Sequence, residues 1–146
     1  MLPEPFIENY QEWSEYNCAD IIFVIYPYSL MYQPGLHIIA TITTTNTILL
    51  ENVGNMQQLV NELIAGNHLV KLGEVYHNFD PAGFTCVVCL SESHLSVHTW
   101  PEFNKVNLDI YLSNHLRNND GTVEKLFNAF VHYFEGEVTD VKRINR

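Results

Sequence analysis

The chain has 146 residues, of which 47% are hydrophobic, 12% aromatic and only 16% charged. That length suits one domain able to bury about two thirds of its unfolded surface, and the composition excludes disordered, collagenous and coiled-coil chains. Seven basic against 17 acidic residues leave a formal charge of −10, so no nucleic-acid partner is expected, whereas a small cationic ligand would be drawn in.

Residues 1–34 are rich in Pro, Tyr and Glu and lack clean periodicity, and they read as an N-terminal extension of unknown role. Within them, Gln11 to Tyr16 suits one or two helical turns. Met31 stands just before the first regular segment, so the stretch ahead of it reads as a loosely packed arm or as an upstream start. The apolar run Ile21 to Tyr26 is broken by Pro27 and is too short to span a bilayer. With no basic segment ahead of it, no signal peptide is expected.

The pattern sharpens at Gly35. Leu36 to Thr44 is β-branched and predicts a strand. Met56, Leu59, Val60, Leu63 and Ile64 recur at helical spacing, so residues 53–65 form an amphipathic helix closed by Gly66-Asn67. Leu69 to Tyr76 is a second strand, and Asp80-Pro81-Ala82-Gly83 a turn. Phe84 to Leu90 is apolar on both faces and predicts a buried central strand. Leu95 to Trp100 and Val106 to Leu112 are further strands, the first ended by Pro101. Asn118-Asn119-Asp120-Gly121 is a turn, followed by a helix marked by Val123, Leu126, Phe127, Phe130, Val131 and Phe134, and Glu137 to Val141 is a closing strand. The order β-α-β-β-β-β-α-β with hairpin-length links predicts an α+β fold, a two-layer sandwich of antiparallel sheet with two helices on one face.

Three cysteines, Cys18, Cys86 and Cys89, form no disulfide framework and suit a reducing cytoplasm. Cys86-x-x-Cys89 followed by His94-x-x-x-His98 has the residue types of a zinc site. The gap from Cys89 to His94 is far shorter than the roughly 12–15 residues between zinc-finger pairs, and residues three apart in a strand face opposite ways. No metal is expected, and both cysteines read as buried apolar groups. Ser91, Ser93, Ser96, His94 and His98 crowd one hairpin, but no G-x-S-x-G elbow supports a hydrolase triad.

The whole string Ser91-Glu92-Ser93-His94-Leu95-Ser96-Val97-His98-Thr99-Trp100-Pro101-Glu102 resembles the self-processing segment of the small prokaryotic S-adenosylmethionine decarboxylase proenzymes. Gly35-Leu36-His37, His77 to Gly83 and Leu108-Asp109-Ile110-Tyr111 extend the similarity over about residues 35–140. The resemblance implies a domain at 35–146 that cleaves itself between Glu92 and Ser93, converting Ser93 into a pyruvoyl group. A substrate amine condenses with that carbonyl, which then accepts the electrons released on decarboxylation. It implies S-adenosylmethionine as substrate, the aminopropyl donor of spermidine synthesis as product, and a cytoplasmic homodimer of cleaved protomers. By the same resemblance His98 is the base that takes the Cα proton of Ser93, and Thr85 assists the ester intermediate. The resemblance likewise implies that Phe79 stacks on adenine and that Glu102 holds the ribose hydroxyls.

One departure stands out. The family's proton-donating cysteine is matched here by Ser113, and its neighbouring glycine by Asn114. A thiol has a pKa of about 8.5 and an alkyl hydroxyl is far weaker. Ser113 would therefore relay a proton from water or His115. The departure keeps open the same chemistry on ornithine or arginine, and a non-catalytic homologue. Retention of Glu92, Ser93 and His98 speaks against the last.

Overall fold

The computed structural model describes residues 32–146; the expectations for Gln11 to Tyr16 and the rest of 1–31 lie outside the described residues. Six strands form one antiparallel sheet: β1 (Leu36–Thr43), β2 (Lys71–Asn78), β3 (Phe84–Leu90), β4 (Ser93–Trp100), β5 (Lys105–Leu112) and β6 (Glu137–Asn145), in the spatial order β2-β3-β4-β5-β1-β6. Helices α1 (Ile48–Glu51), α2 (Met56–Gly66) and α3 (Asp120–Tyr133) complete the α+β sandwich.

Strand alternation sorts the side chains into two layers. Ile38, Ala40 and Ile42 of β1, Leu95 and Val97 of β4, and Val106, Leu108, Ile110 and Leu112 of β5 are buried in one core with Val60 and Ile64 of α2 and Val123, Leu126, Phe127 and Phe130 of α3. Thr99 belongs to the same layer. Its hydroxyl donates to the Leu50 carbonyl at 2.8 Å and accepts the Phe84 N–H at 2.8 Å, which ties α1 to the β3–β4 pair.

Among the described residues, no helix packs on the opposite face of the sheet. Val75, Val87, Ile39 and Ile144 are 63, 42, 40 and 41% exposed there. This corrects the expected buried central strand. β3 lies next to the β2 edge, and only one of its faces is covered. Cys86 is buried in the core while Cys89 is exposed, so only one of the two cysteines is a buried apolar group.

Several boundaries also move. The turn Asn52–Asn55 delays α2 to Met56. The end of α2 stays where it was expected: the helix closes at Gly66-Asn67, where Asn67 donates both its backbone N–H and its side-chain amide to the Leu63 carbonyl, and His68 (φ 53°) follows in the left-handed region. β2 starts at Lys71, β4 at Ser93 and α3 at Asp120, and β6 continues to Asn145 because β1 offers a partner along its whole length.

Candidate active site

Ser91 and Glu92 turn β3 into β4, and Leu90 pairs with Ser93 across the turn. Ser93 opens β4 with φ 151°, a backbone region that glycine adopts freely and that costs a residue with a Cβ about 1–3 kcal/mol. On its other side Ser93 pairs with Leu112 at the end of β5. That register puts the next residue, Ser113, against the turn, and its backbone N–H donates to the Glu92 carbonyl at 2.9 Å.

Asn114 fixes this segment. Its amide nitrogen donates to the Pro34 carbonyl at 2.7 Å and to Asp120 Oδ1 at 3.0 Å, and its oxygen accepts the Asn119 N–H at 2.7 Å. Asn119 in turn donates its side-chain amide to the Ser113 carbonyl at 2.7 Å. Asn114, standing where glycine was expected, is thus a buried bracket between the start of β1, the end of β5 and α3.

Four further polar side chains lie on the open face beside Ser93. His37, Tyr111 and His94 form one row across β1, β5 and β4, and Asp109 lies in the next row between Ile39 and Ser96. Asp109 Oδ1 is 2.7 Å from His37 Nε2 and 3.2 Å from His94 Nε2, and His94 Nδ1 is 3.0 Å from Ser93 Oγ. Sequence reasoning missed Asp109 and His37. Their signal was alternation, since both stand at outward positions of strands whose intervening residues are apolar. The donor atoms of His37, His94 and Asp109 lie within 4.8 Å of one another, a two-histidine, one-carboxylate set of the type that holds divalent metals. In the structure they are hydrogen-bonded to one another. The Cys86/Cys89/His94/His98 set is not assembled, because Cys86 points into the core and Cys89 away from it. Burial pushes the Cys86 thiol up to about 11, which further disfavours a thiolate ligand or a redox cysteine.

The remaining site residues gather at the other end of the sheet. Thr85 and His98 are cross-strand partners, with Thr85 Oγ1 2.6 Å from His98 Nδ1. His77 neighbours Thr85 on β2, and Phe79, just beyond β2, packs edge-on against His77 with ring centroids 4.9 Å apart. Phe79 is held by its N–H to the Gly83 carbonyl across the Asp80–Gly83 turn, which contains a cis Asp80-Pro81 bond. Glu102 is exposed in the 3-10 turn Pro101–Phe103 that follows β4.

The structure therefore divides the expected site into two groups. Glu92, Ser93 and Ser113 lie at one end of the sheet, and Phe79, Thr85, His98 and Glu102 at the other. Five residues of strand separate Ser93 from His98, a span of about 16 Å. The bend expected to bring these two together reverses the chain at Ser91-Glu92 and leaves His98 far along β4. Between the groups the open face carries a cleft of about 270 Å³ lined by Thr41, Ser96, His98, Asn107 and Asp109, among others. That is below the roughly 300–1,000 Å³ of pockets that enclose a small molecule.

The model of the S-adenosylmethionine decarboxylase family matches residues 36–146. The S-adenosylmethionine decarboxylase proenzyme of Archaeoglobus fulgidus is 38% identical over 103 residues, which cover 70% of this chain and 88% of that protein. The proenzyme of Picrophilus torridus is 31% identical over 112 residues, 77% of this chain and 83% of that one. Among solved structures, the adenosylmethionine decarboxylase of Aquifex aeolicus superposes with a TM-score of 0.68 at 25% identity, covering 80% of this chain and 92% of that one. Fold and sequence together define an enzyme of the decarboxylase class. The chain belongs to the S-adenosylmethionine decarboxylase family.

Proposed function

We propose that the chain is a precursor that cuts itself between Glu92 and Ser93 and then removes CO₂ from S-adenosylmethionine, yielding the aminopropyl donor for spermidine synthesis. In this reading residues 35–146 are the catalytic domain, 1–34 an extension, and the protein works in the cytoplasm. The observation that carries it is the state of the Glu92-Ser93 junction. The serine is held in a strained backbone conformation, and the carbonyl ahead of it already accepts a hydrogen bond from Ser113 N–H at 2.9 Å. A donor aimed at that oxygen stabilises the negative charge it acquires when a hydroxyl attacks the carbon, as in an oxyanion hole.

These residues fit a pyruvoyl group made from Ser93, which supplies a ketone able to take the substrate's amine and accept the electron pair left by CO₂. The chain's own residues do the rest. His98, oriented by Thr85, takes the Cα proton of Ser93 during elimination. Ser113, beside the new chain end, returns a proton to the substrate carbon. Phe79 offers an exposed ring for adenine and Glu102 a carboxylate for the ribose hydroxyls. The alternative substrates ornithine and arginine, and a non-catalytic role, gain no support from these relatives.

A span of about 16 Å between Ser93 and His98 rules out their meeting within one chain. Two copies stacked through their open faces bring the Ser93 end of one against the His98 end of the other, and cover Val75, Val87, Ile39 and Ile144 as well. The functional unit in this reading is a homodimer with two composite sites. Intact-mass measurement of purified protein tests the core of the reading. The wild type should give two fragments that part at 92/93, the smaller one beginning with pyruvoyl, and Ser93→Ala a single uncut chain that releases no CO₂. A wild type that stays whole under native conditions would remove the reading.

A further inference from the structure

We infer that His94, oriented by Asp109 and His37, is the base that removes the hydroxyl proton of Ser93 and starts chain cleavage. The inference deepens the proposed function and rests on it, but it assigns a step that His98 is too far away to perform within the chain. Its basis is a continuous set of contacts: Ser93 Oγ to His94 Nδ1 at 3.0 Å, His94 Nε2 to Asp109 Oδ1 at 3.2 Å, and Asp109 Oδ1 to His37 Nε2 at 2.7 Å.

The proton positions follow from the acceptor. A carboxylate oxygen only accepts, so His94 Nε2 and His37 Nε2 both carry hydrogen and donate to Asp109. A neutral His94 with hydrogen on Nε2 has a bare lone pair on Nδ1, and that nitrogen faces the Ser93 hydroxyl. His37 is buried on its strand and holds Asp109 from the far side, so the carboxylate keeps its aim on His94. A serine, a histidine and an acid so linked form the arrangement that activates serine nucleophiles on unrelated folds. Here the electrophile is the neighbouring peptide carbonyl of the same chain.

The step balances without an added reagent. Ser93 Oγ–H gives its proton to His94 Nδ1 as Oγ bonds to the Glu92 carbonyl carbon, and the charge formed on that oxygen is met by Ser113 N–H. The bond from this carbon to the Ser93 nitrogen then breaks, and the nitrogen takes the proton back from His94. The products are an ester between Glu92 and Ser93 Oγ and a free Ser93 amine. His94 leaves the step as it entered. His98 acts afterwards, at Cα.

Trapping the ester separates this step from the later one. In a His98→Ala chain elimination is blocked, so the ester should accumulate. Neutral hydroxylamine should then cut the chain after residue 92 and leave a hydroxamate on the first fragment. With His94→Ala added, trapping should fall by at least about 100-fold, the usual contribution of a positioned base, and free imidazole should restore part of it. Asp109→Asn keeps the shape but can present an N–H to His94 Nε2, which moves the proton to Nδ1. It should reduce trapping in the same assay and not respond to imidazole. His94→Gln, closer in shape, guards against loss of fold, and circular dichroism checks each variant. Trapping within about threefold of the parent in folded His94→Ala or His94→Gln overturns the inference. No trappable ester in the His98→Ala parent would count instead against self-processing by this chain.

Discussion

In the proposed reaction Ser113 faces the clearest chemical demand, because an alkyl hydroxyl is a poorer acid than the thiol that the family resemblance implies at this place. Its position does not depend on that side chain. The Leu112–Ser93 pairing, the Asn114 bracket and the Asn119 bond to its carbonyl all hold the Ser113 backbone. Ser113→Cys should therefore leave chain cleavage intact and raise the rate of CO₂ release if proton return limits turnover. An equal or lower rate would put the donor elsewhere. The two described cysteines give a second test at this scale. Cys89 is exposed, whereas burial raises the Cys86 thiol to about 11. At pH 8 a thiol with that value is about one thousandth ionised, so iodoacetamide should label Cys89 quickly and Cys86 only on unfolding, as peptide mapping would read out. A thiol raised on folding contributes stability that is full below its unfolded value and fades as pH rises through the folded one. The melting temperature should thus fall between about pH 9 and 11, and less steeply in Cys86→Ala.

At the level of elements, the close approach of the start of β1 to the end of β5 sets the geometry at the turn. A Cβ on Gly35 would sit 2.2 Å from the Leu112 carbonyl oxygen and 2.9 Å from the Ser113 Cα, both backbone atoms that cannot swing aside. Gly35→Ala should cost about 1–3 kcal/mol in denaturant unfolding, the usual cost of overpacking. It should also slow cleavage by pushing the Ser113 N–H off the Glu92 carbonyl. A destabilised variant that cleaves at the parent rate would mean that this donor is dispensable. The elements themselves were largely legible. Every strand and both long helices occur within a few residues of their expected places, and the pattern is clearest in β1, β3, β4, β5, α2 and α3, which each bury one face in the core. α1 was not, since of its four residues only Leu50 is buried and so short a stretch carries no period. β6 was read too short because its exposed outer residues give no alternation beyond Val141.

For the whole molecule, the resemblance supplied residues for one site that the single chain keeps in two places. The motif string is continuous in sequence, but a strand converts five residues into about 16 Å, and the pairing of two faces is not written in either. The open face was hidden for a related reason. Val87 and Cys89 read as core residues because their surroundings are apolar, and apolarity does not say whether the cover is a helix or another copy. Co-expression checks the composite site. When Ser93→Ala and His98→Ala chains are made together, the His98→Ala chain should be cut, because a mixed dimer pairs its Ser93 with an intact His98. If it stays whole in mixed dimers, each chain processes itself alone.

For the cleavage proposed above, the strand order also decides what happens to the severed pieces. The segment ending at Glu92 carries β1, β2 and β3, and the segment beginning at Ser93 carries β4, β5 and β6. In the sheet these sets interleave, with β3 laid along β4 and β1 inserted between β5 and β6. A nick at 92/93 therefore leaves three zipped seams, and neither piece can depart without opening all of them. Mature protein should run as one particle until it melts. Reassembly then requires two strangers to meet, so its midpoint should climb with protein concentration where that of the uncut Ser93→Ala chain climbs less.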